Sequence, residues 1–272
     1  QNTGWRLGTG AGMIKVLCLD YDNTVFDHRL GNIPESAREA LEAVRGKCRL
    51  VLASGRFFND AWNAPIKELV KPDGIIHSNG SLVEAEGTVL KETYLDPKLQ
   101  KEVLDFAYAN DLCLGGQHEG KWYTTNPEKQ AARWKGKEHL FLREMYDARE
   151  LYEIPMHALY LDDSVEAARL VEQTFPALRT PIMSEITGGA DVIPAHLSKA
   201  YGLELLLEHW GIRREESAAI GDSMNDFEMI QAAGIGIAMG NGIPALKEAA
   251  DYVTSDISED GLKNAFHYLG LL

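Results

Sequence analysis

Hydrophobic and polar positions alternate in a regular way after Met13: short apolar runs end at polar residues or glycine and are separated by amphipathic segments. Uninterrupted apolar runs of this length are typical of buried strands in a parallel sheet, whereas apolar residues spaced by three and four predict helices. The predicted strands of the first part are Ile14 to Leu19, Leu50 to Ala53 and Gly74 to His77. The predicted helices are Pro34 to Val44 and a segment that carries Trp62, Ile66 and Leu69.

The same alternation returns near the C-terminus. The pattern there predicts a helix, a strand, a second helix and two further strands. In chain order they are Tyr201 to Trp210, Ser217 to Ile220, Asp226 to Ala233, Ile235 to Met239 and Tyr252 to Thr254. Alternating strands and helices build a doubly wound sheet, in which ligands bind at the carboxyl ends of the strands. We therefore expect an α/β fold of this type.

The middle of the chain, from about Leu82 to Pro194, has a different pattern. Its strands alternate more with polar residues, as in Lys121 to Thr125, and aromatic and charged residues are dense. The predicted strands Met156 to Leu161 and Leu178 to Ile182 flank a predicted helix, Val165 to Thr174. A sheet with one exposed face accounts for such alternation. We interpret this part as an inserted α/β domain.

Length and charge narrow the class of protein. At roughly 150 residues per domain, a chain of 272 residues is expected to form about two domains. Its 27 Lys and Arg against 41 Asp and Glu give a net charge of −14, and the basic residues do not cluster. Such a chain repels a nucleic-acid backbone, so no nucleic-acid partner is expected. An acidic protein that binds small phosphates needs a metal ion or a few well-placed cations.

Cysteine usage and the absence of long apolar stretches indicate a cytoplasmic protein. Cys18, Cys48 and Cys113 are scattered and lack paired spacing, so neither a disulfide framework nor a zinc site is expected. No apolar stretch approaches the roughly 18 residues of a membrane helix, and no membrane partner is expected. The glycine-rich segment Gln1 to Gly12 has no apolar signal-peptide core, and we interpret it as a remnant upstream of a native start at Met13.

Two pairs of carboxylates directly follow predicted strands. Asp20 and Asp22 come at the end of the first strand, and Asp222 and Asp226 follow the strand that ends at Ile220. If these strand ends lie side by side, four carboxylates face one crevice, and like charges this close favour a bound cation. Mg²⁺ prefers oxygen ligands and is the usual ion where phosphate supplies further ligands. The sequence therefore predicts a magnesium site.

The order and spacing of these motifs resemble those of the haloacid dehalogenase-like hydrolases, in particular the Cof-like type IIB branch. Four stretches match the four family motifs in order: Asp20 to Thr24, Leu52 to Arg56, Leu197 to Lys199 and Gly221 to Asp226. Two further stretches are similar to sequences of the branch: Ala238 to Gly242 and Glu259 to Gly261. Ala200 departs from the pattern, since a glycine usually follows the lysine of the third motif.

The resemblance implies a Rossmann-like core with an inserted cap domain. The core would comprise residues 13–82 and 190–272, and the cap, which would set substrate specificity, residues 83–189. Asp20 would act as the nucleophile and form an aspartyl phosphate, and Asp22 would act as general acid and base. The implied Mg²⁺ ligands are Asp20, the backbone carbonyl of Asp22 and Asp222.

The remaining implied roles concern the phosphoryl group and the substrate. The phosphoryl oxygens would be held by Ser54, Gly55, Lys199 and Asn225. Asp226 would orient metal-bound waters or Lys199, and Asn241 would support the phosphoryl-binding loop. Candidate substrate contacts, chosen as polar or cationic groups that could meet a sugar or a second anion, are Arg56, His118, Lys121, Tyr123 and Arg133. Trp122 and Trp134 are interpreted as packing against the cap sheet.

The function so implied is Mg²⁺-dependent hydrolysis of a small phosphorylated metabolite, with a sugar phosphate as the first candidate. Two other functions stay open. One is phosphoryl transfer to a sugar, as in a phosphomutase, which is separated from hydrolysis by measuring inorganic phosphate. The other is a phospho-ligand sensor in which phosphorylated Asp20 persists, and the presence of Asp22 and of a large inserted domain argues against it.

Overall fold

The structure, a computed structural model, describes residues 13–60, 63–136 and 144–272. The interpretation of Gln1 to Gly12 and the position of Trp62 in a predicted helix lie outside the described residues. Within the described ranges, no helix combines the length and the apolar character that crossing a membrane requires.

The described strands form two sheets. In chain order they are β1 (Val16–Asp20), β2 (Arg49–Ala53), β3 (Gly74–His77), β4 (Leu82–Ala85), β5 (Thr88–Glu92), β6 (Leu114–His118), β7 (Lys121–Thr124), β8 (Met145–Asp147), β9 (Leu159–Leu161), β10 (Leu178–Arg179), β11 (Ala190–Pro194), β12 (Ser217–Gly221), β13 (Ile235–Ala238) and β14 (Tyr252–Val253). The larger sheet has the order β14-β13-β12-β1-β2-β3-β4-β5, and the smaller sheet has the order β10-β11-β9-β6-β7-β8.

Helices cover both sheets. They are α1 (Glu35–Ala43), α2 (Ala64–Val70), α3 (Pro97–Ala109), α4 (Pro127–Trp134), α5 (Val165–Thr174), α6 (Lys199–Trp210), α7 (Phe227–Ala232), α8 (Pro244–Ala249) and α9 (Gly261–Tyr268). Four of them begin at a side-chain cap that accepts a backbone N–H bond three residues on. The capping residues are Asp96, Asn126, Ser164 and Ser198. The Ser198 cap makes Lys199 the first residue of α6.

Strand β1 lies at the centre of the larger sheet and pairs in parallel with β2 on one side and β12 on the other. The strand order reverses between β1 and β12, which makes the carboxyl end of β1 the point where doubly wound sheets bind ligands. All five residues of β1 are buried because helices cover both faces. Leu17 packs on the face covered by α1 and α9, and Cys18 packs on the face covered by α6 and α7. The doubly wound sheet expected from the sequence is confirmed.

The smaller sheet is mostly antiparallel and packs one face against α3 and α5. Leu159 and Leu161 of β9 lie in the hydrophobic cluster on that face, together with Val103 and Val171 of the two helices. Tyr160, between the two leucines, points to the opposite face because successive strand residues alternate. Asp191 of β11 pairs with Tyr160 and therefore lies on this second face.

The two sheets divide the chain at slightly different residues from the expected domain ranges of 13–82, 83–189 and 190–272. Hairpin β4–β5 belongs to the larger sheet, because Leu82 pairs with His77 directly across the turn that ends β3. Strand β11 belongs to the smaller sheet, because Val192 pairs with Leu159.

Gly80, in the turn between β3 and β4, approaches the start of α6. Its φ is +103°, and a Cβ atom there would lie 2.5 Å from the carbonyl oxygen of Ser198. We expect Gly80→Ala to lower the free energy of unfolding by about 2 to 4 kcal/mol, because backbone strain adds to steric overlap. Urea titration measures the loss.

The control for this change is Gly87→Ala, in the turn between β4 and β5. Gly87 also has a positive φ, +74°, but no atom lies within 4 Å of its ideal Cβ position. Only the backbone strain of about 1 kcal/mol remains there. Equal losses at the two positions would contradict the proposed contact between Gly80 and Ser198.

Candidate active site

Side chains from the carboxyl ends of neighbouring strands meet at one edge of the larger sheet. Asp20 ends β1, Asp222 follows β12, and Asp226 lies in the turn that leads into α7. One carboxylate oxygen from each of these three residues lies within 4.8 Å of the others. The structure thus brings together acidic residues separated by about 200 positions in the chain.

Lys199 lies between two of these carboxylates. Its Nζ atom donates to Asp20 Oδ1 at 2.7 Å and to Asp226 Oδ1 at 2.6 Å. The lysine side chain is fully buried, and a lysine is stable in such a place only when opposite charges surround it. Although burial lowers its pKa, the charges of Asp20 and Asp226 dominate and raise the pKa of Lys199 above its usual value. Lys199 is therefore a permanent cation.

Asp226 also organises the loop that carries Asp222. Its Oδ2 atom accepts hydrogen bonds from the backbone N–H groups of Asp222 (2.9 Å) and Ser223 (3.0 Å). A Cβ atom at Gly221 would lie 2.4 Å from Asp226 Cγ, so only glycine fits at that position. These contacts explain the spacing of the fourth motif: the glycine makes room for the carboxylate that closes the loop.

The carboxylate cluster fits a divalent cation. When all three are ionised, the carboxylates of Asp20, Asp222 and Asp226 exceed the single ammonium group by two negative charges. Burial, and then the nearby Asp226 carboxylate, raise the pKa of Asp20 to about 7, and burial with Asp20 raises the pKa of Asp222 well above its usual range. Carboxylate oxygens are the donors that Mg²⁺ accepts. A bound cation would remove the repulsion that raises both pKa values.

The side chain of Asp22 is held by two basic residues. Its oxygens accept hydrogen bonds from Arg56 Nε (2.8 Å), from an Arg56 terminal nitrogen (2.7 Å) and from His28 Nε2 (2.6 Å). Burial opposes ionisation, but the bonds from His28 and Arg56 dominate and lower the pKa of Asp22 below its usual range. Arg56, expected as a substrate contact, is thus paired with Asp22. His28 carries no motif signal in the sequence.

The predicted phosphoryl-binding residues lie around the same strand ends. Ser54 follows β2, and its Oγ atom accepts a hydrogen bond from the Arg56 backbone N–H at 3.0 Å. Gly55 approaches the smaller sheet so closely that a Cβ atom there would lie 2.8 Å from Asp191 Oδ2. Asn225 Nδ2 donates to Asn79 Oδ1 at 3.2 Å.

Asn79 and Asp191 belong to the site but were not predicted. Asn79 Nδ2 donates to Asp191 Oδ2 at 2.7 Å, which connects the turn after β3 with β11 of the smaller sheet. Burial raises the pKa of Asp191 to about 6. Asn79 follows a predicted strand and precedes a glycine, a position that could have marked it. Nothing in the sequence around Asp191 marks that residue.

Asn241 connects two loops beside the cluster. Its Nδ2 atom donates to the carbonyl oxygen of Asn23 at 2.9 Å, and its Oδ1 atom accepts from the Ile257 backbone N–H at 2.9 Å. Asn23 lies inside the first motif and has a positive φ of 59°. Asn241 therefore helps to hold the conformation of the loop that carries Asp22.

The candidate contacts of the middle domain have their polar partners within that part of the chain. Arg133 pairs with Asp162, Lys121 Nζ lies 5.0 Å from the centre of the Tyr146 ring, and His118 Nε2 lies 3.8 Å from Glu119.

Tyr123 does not fit its predicted role. It is 4% exposed and packs in the hydrophobic cluster against α3 and α5. Because neighbouring strand residues alternate, Trp122 instead faces the other side of the smaller sheet.

Comparisons with known proteins agree with the fold. A family model described as haloacid dehalogenase-like hydrolase matches residues 17–266. A Bacillus subtilis protein named "Putative phosphatase YkrA" is 30% identical over 268 residues, which are 95% of this chain and 98% of the relative. The structure of BT1666 from Bacteroides thetaiotaomicron, a phosphatase of the HAD superfamily, has a TM-score of 0.85 and 26% identity, and the match covers 97% of this chain and 98% of BT1666.

A second structure points to the branch. BT4131, a sugar phosphatase of HAD subclass IIB, has a TM-score of 0.82 and 26% identity, and the match covers 95% of this chain and all of BT4131. The chain belongs to the haloacid dehalogenase-like hydrolases, and its Rossmann-like core with an inserted α/β part is that of the IIB branch. It is a phosphatase enzyme.

Removal of the buried cation should destabilise the fold. We expect Lys199→Met to lower the free energy of unfolding by about 3 to 5 kcal/mol without added metal, because Asp20 and Asp226 are left without a partner. The control is Lys263→Met, which breaks the exposed pair of Lys263 with Glu39 and should cost less than about 1 kcal/mol. Urea titration of both variants measures the difference, and similar losses would contradict this account of Lys199.

Proposed function

We propose that this protein hydrolyses a small phosphorylated metabolite in a Mg²⁺-dependent reaction that passes through an aspartyl phosphate on Asp20. The observation that supports this most directly is the position of Asp20. Its carboxylate is buried at the end of the central strand, paired with Lys199 and close to Asp222 and Asp226. A carboxylate held beside a fixed cation is suited to attack a phosphoryl group.

In the proposed first step, an Asp20 oxygen attacks phosphorus and the bond between phosphorus and the ester oxygen breaks. In the second step, water attacks the aspartyl phosphate and releases inorganic phosphate. Lys199 would neutralise charge in both steps, and the hydrogen bond from its Nζ atom to Asp20 supports this role. Ser54, the Gly55 amide and Asn225 lie around the same strand ends and would hold the phosphoryl oxygens.

Asp22 would give a proton to the leaving oxygen and take one from the attacking water. In the pair with Arg56 and His28 its low pKa keeps the carboxylate ionised, which the second of these tasks requires, although the same contacts weaken it as a base. The first task requires a protonated carboxyl group. Proton donation to the leaving oxygen therefore requires the hydrogen bonds from Arg56 to Asp22 to weaken. A bound phosphoryl group can compete with Asp22 for the guanidinium group.

Mg²⁺ would be held by Asp20, the backbone carbonyl of Asp22 and Asp222, with Asp226 and Asn241 supporting their loops. When bound, the ion neutralises charge on the phosphoryl oxygens. The smaller sheet would act as a cap over the site, and the contact of Asn79 with Asp191 supports this placement. A sugar phosphate is the first substrate to test, because the similar structure BT4131 belongs to a sugar phosphatase.

Replacement of the nucleophile should stop the reaction while the fold persists. We expect Asp20→Asn to lower the rate of phosphate release by a thousandfold or more, on the order of the loss seen when other enzymes lose their nucleophile. A colorimetric assay for inorganic phosphate measures the rate. Acid quenching with ³²P-labelled substrate should give a labelled wild-type protein and an unlabelled variant. Wild-type rates in the folded variant would end the assignment of Asp20.

Removal of the metal ion should change both the rate of phosphate release and the melting temperature. We expect EDTA to abolish phosphate release and Mg²⁺ to restore it, and Asp222→Asn should need a higher Mg²⁺ concentration for half-maximal rate because one ligand charge is lost. Mg²⁺ should also raise the melting temperature of the wild-type protein, which tests binding without turnover. Full activity in EDTA, with no effect of Mg²⁺ on melting, would contradict the metal site.

A further inference from the structure

One arginine of the smaller sheet contacts two segments of the candidate active site. Arg179 lies in β10, the strand at one edge of that sheet. One terminal nitrogen, Nη1, donates to the carbonyl oxygen of Leu197 at 2.9 Å, and the other, Nη2, donates to Glu228 Oε1 at 2.5 Å. We call these two contacts the Arg179 bridge.

Each end of the Arg179 bridge lies close in the chain to a member of the buried charge cluster. Leu197 precedes Lys199 by two positions, and Glu228 follows Asp226 by two positions. Lys199 and Asp226 contact each other directly, at 2.6 Å. The two segments are therefore joined twice, by the lysine inside the cluster and by the arginine outside it.

The contacted segments set the positions of the side chains that they carry. The carbonyl oxygen of Leu197 directly precedes the Ser198 cap that starts α6 at Lys199. Glu228 lies in the first turn of α7, directly after the turn that carries Asp226. A guanidinium group presents its donors in a rigid, planar fork, so it can hold two acceptors at a fixed distance from each other.

The guanidinium group is itself held in place. Strand β10 pairs with β11, and Leu178, next to Arg179, is buried in the hydrophobic cluster of the smaller sheet. Among the residues that the structure describes, Arg179 is the one cation that pairs with Glu228, and Glu228 Oε2 is buried without a hydrogen-bond partner. A carboxylate in such a place binds the cation beside it because desolvation of an unpaired charge is costly.

A cavity of about 520 Å³ lies beside the Arg179 bridge. Glu172 of α5 and Ile182 line it on the side of the smaller sheet, and Met224 and Phe227 line it on the side of α7. Because side chains do not fill this space, apolar packing does not hold α7 against α5 at this point. The polar contacts of Arg179 therefore set the distance there.

We propose that Arg179 is a positioning residue for phosphoryl transfer, because it keeps the segments of Lys199 and Asp226 in register while substrate is bound. In the proposed reaction, Lys199 must share its three donors between two carboxylates and the phosphoryl oxygens. Its bond to Asp226 then weakens, and the Arg179 bridge still joins the two segments. A misplacement of about 1 Å in such a site can cost about a hundredfold in rate. The inference rests on the proposed function and deepens it.

The kinetics of Arg179→Met separate positioning from folding. We expect kcat for p-nitrophenyl phosphate to fall by about 5- to 20-fold with KM within about twofold, because Arg179 acts on the arrangement of the site. The two paired side chains are 24% and 38% exposed, so Glu228 can turn toward water, and the melting temperature should fall by less than about 4 °C. An arginine that only stabilised the fold would leave kcat unchanged.

Two further variants serve as controls. Arg169 lines the same cavity, but it pairs with Glu185 of the smaller-sheet part at 3.8 Å, and Arg169→Met should keep the wild-type kcat. Arg179→Lys keeps the charge but not the fork, so it should recover less than half of the lost kcat. Full recovery with lysine would overturn the assignment of the bridge to both segments.

Hydrogen exchange tests the Arg179 bridge without turnover. Asp226 Oδ2 accepts hydrogen bonds from the backbone N–H groups of Asp222 and Ser223. We expect these amides to exchange at least about threefold faster in Arg179→Met and at the wild-type rate in Arg169→Met, as measured by mass spectrometry of a peptide that covers the turn.

Two results would overturn the inference: unchanged exchange of the turn in Arg179→Met, or a kcat of that variant within twofold of an active wild-type protein. Failure of the proposed function looks different. The wild-type protein would then release no phosphate from p-nitrophenyl phosphate, acetyl phosphate or glucose 6-phosphate. Faster exchange in Arg179→Met alone would still show that the bridge holds the turn.

Discussion

The buried ion pairs of Lys199 are the interaction on which the site depends. One ammonium group touches the carboxylate that ends β1 and the carboxylate that closes the loop after β12. Neither carboxylate could stay buried and ionised without this partner, and the lysine could not stay buried without them. The requirement fixes where α6 begins, since Ser198 caps the helix so that Lys199 is its first residue. Three distant parts of the chain are thereby held in one arrangement.

The second constraint is the way the two sheets meet. The contact between Asn79 and Asp191 joins them at the catalytic edge, and Gly55 and Gly80 allow the close approaches beside it. Side chains at these glycines would overlap Asp191 and the start of α6. These two glycines therefore set the distance between the phosphoryl-binding loops and the face of the smaller sheet that carries Tyr160. Their small size is as important for the geometry of the site as the charged residues are.

Much of the larger sheet could be predicted from the sequence, because buried parallel strands are apolar runs that end at polar residues. Strand β3 and helix α5 have the predicted bounds, and the helix predicted from Tyr201 begins two residues earlier, at Lys199. Hairpin β4–β5 was not predicted as part of this sheet: β5 is largely exposed and gives no apolar signal. Asp191 was missed because its partner lies 112 positions away. Tyr123 was chosen as a candidate substrate contact for its polar group, but it is buried, and the alternation in β7 does not reveal which of its faces the helices cover.

Two carboxylates only two residues apart have opposite pKa shifts, and their surroundings explain why. Asp20 lies among carboxylates, and burial with Asp226 raises its pKa, whereas Asp22 lies against Arg56 and His28, whose hydrogen bonds lower its pKa. Asp20 is the last residue of β1, whereas Asp22 lies beyond the strand, where it bridges to Phe26, so the two side chains meet different neighbours. Asp20 must bind a metal and attack phosphorus, and a bound cation would stabilise its ionised form. Asp22 must accept a proton from water, and it can do so only if its carboxylate is already ionised. The division of labour proposed for Asp20 and Asp22 follows from this difference in neighbours.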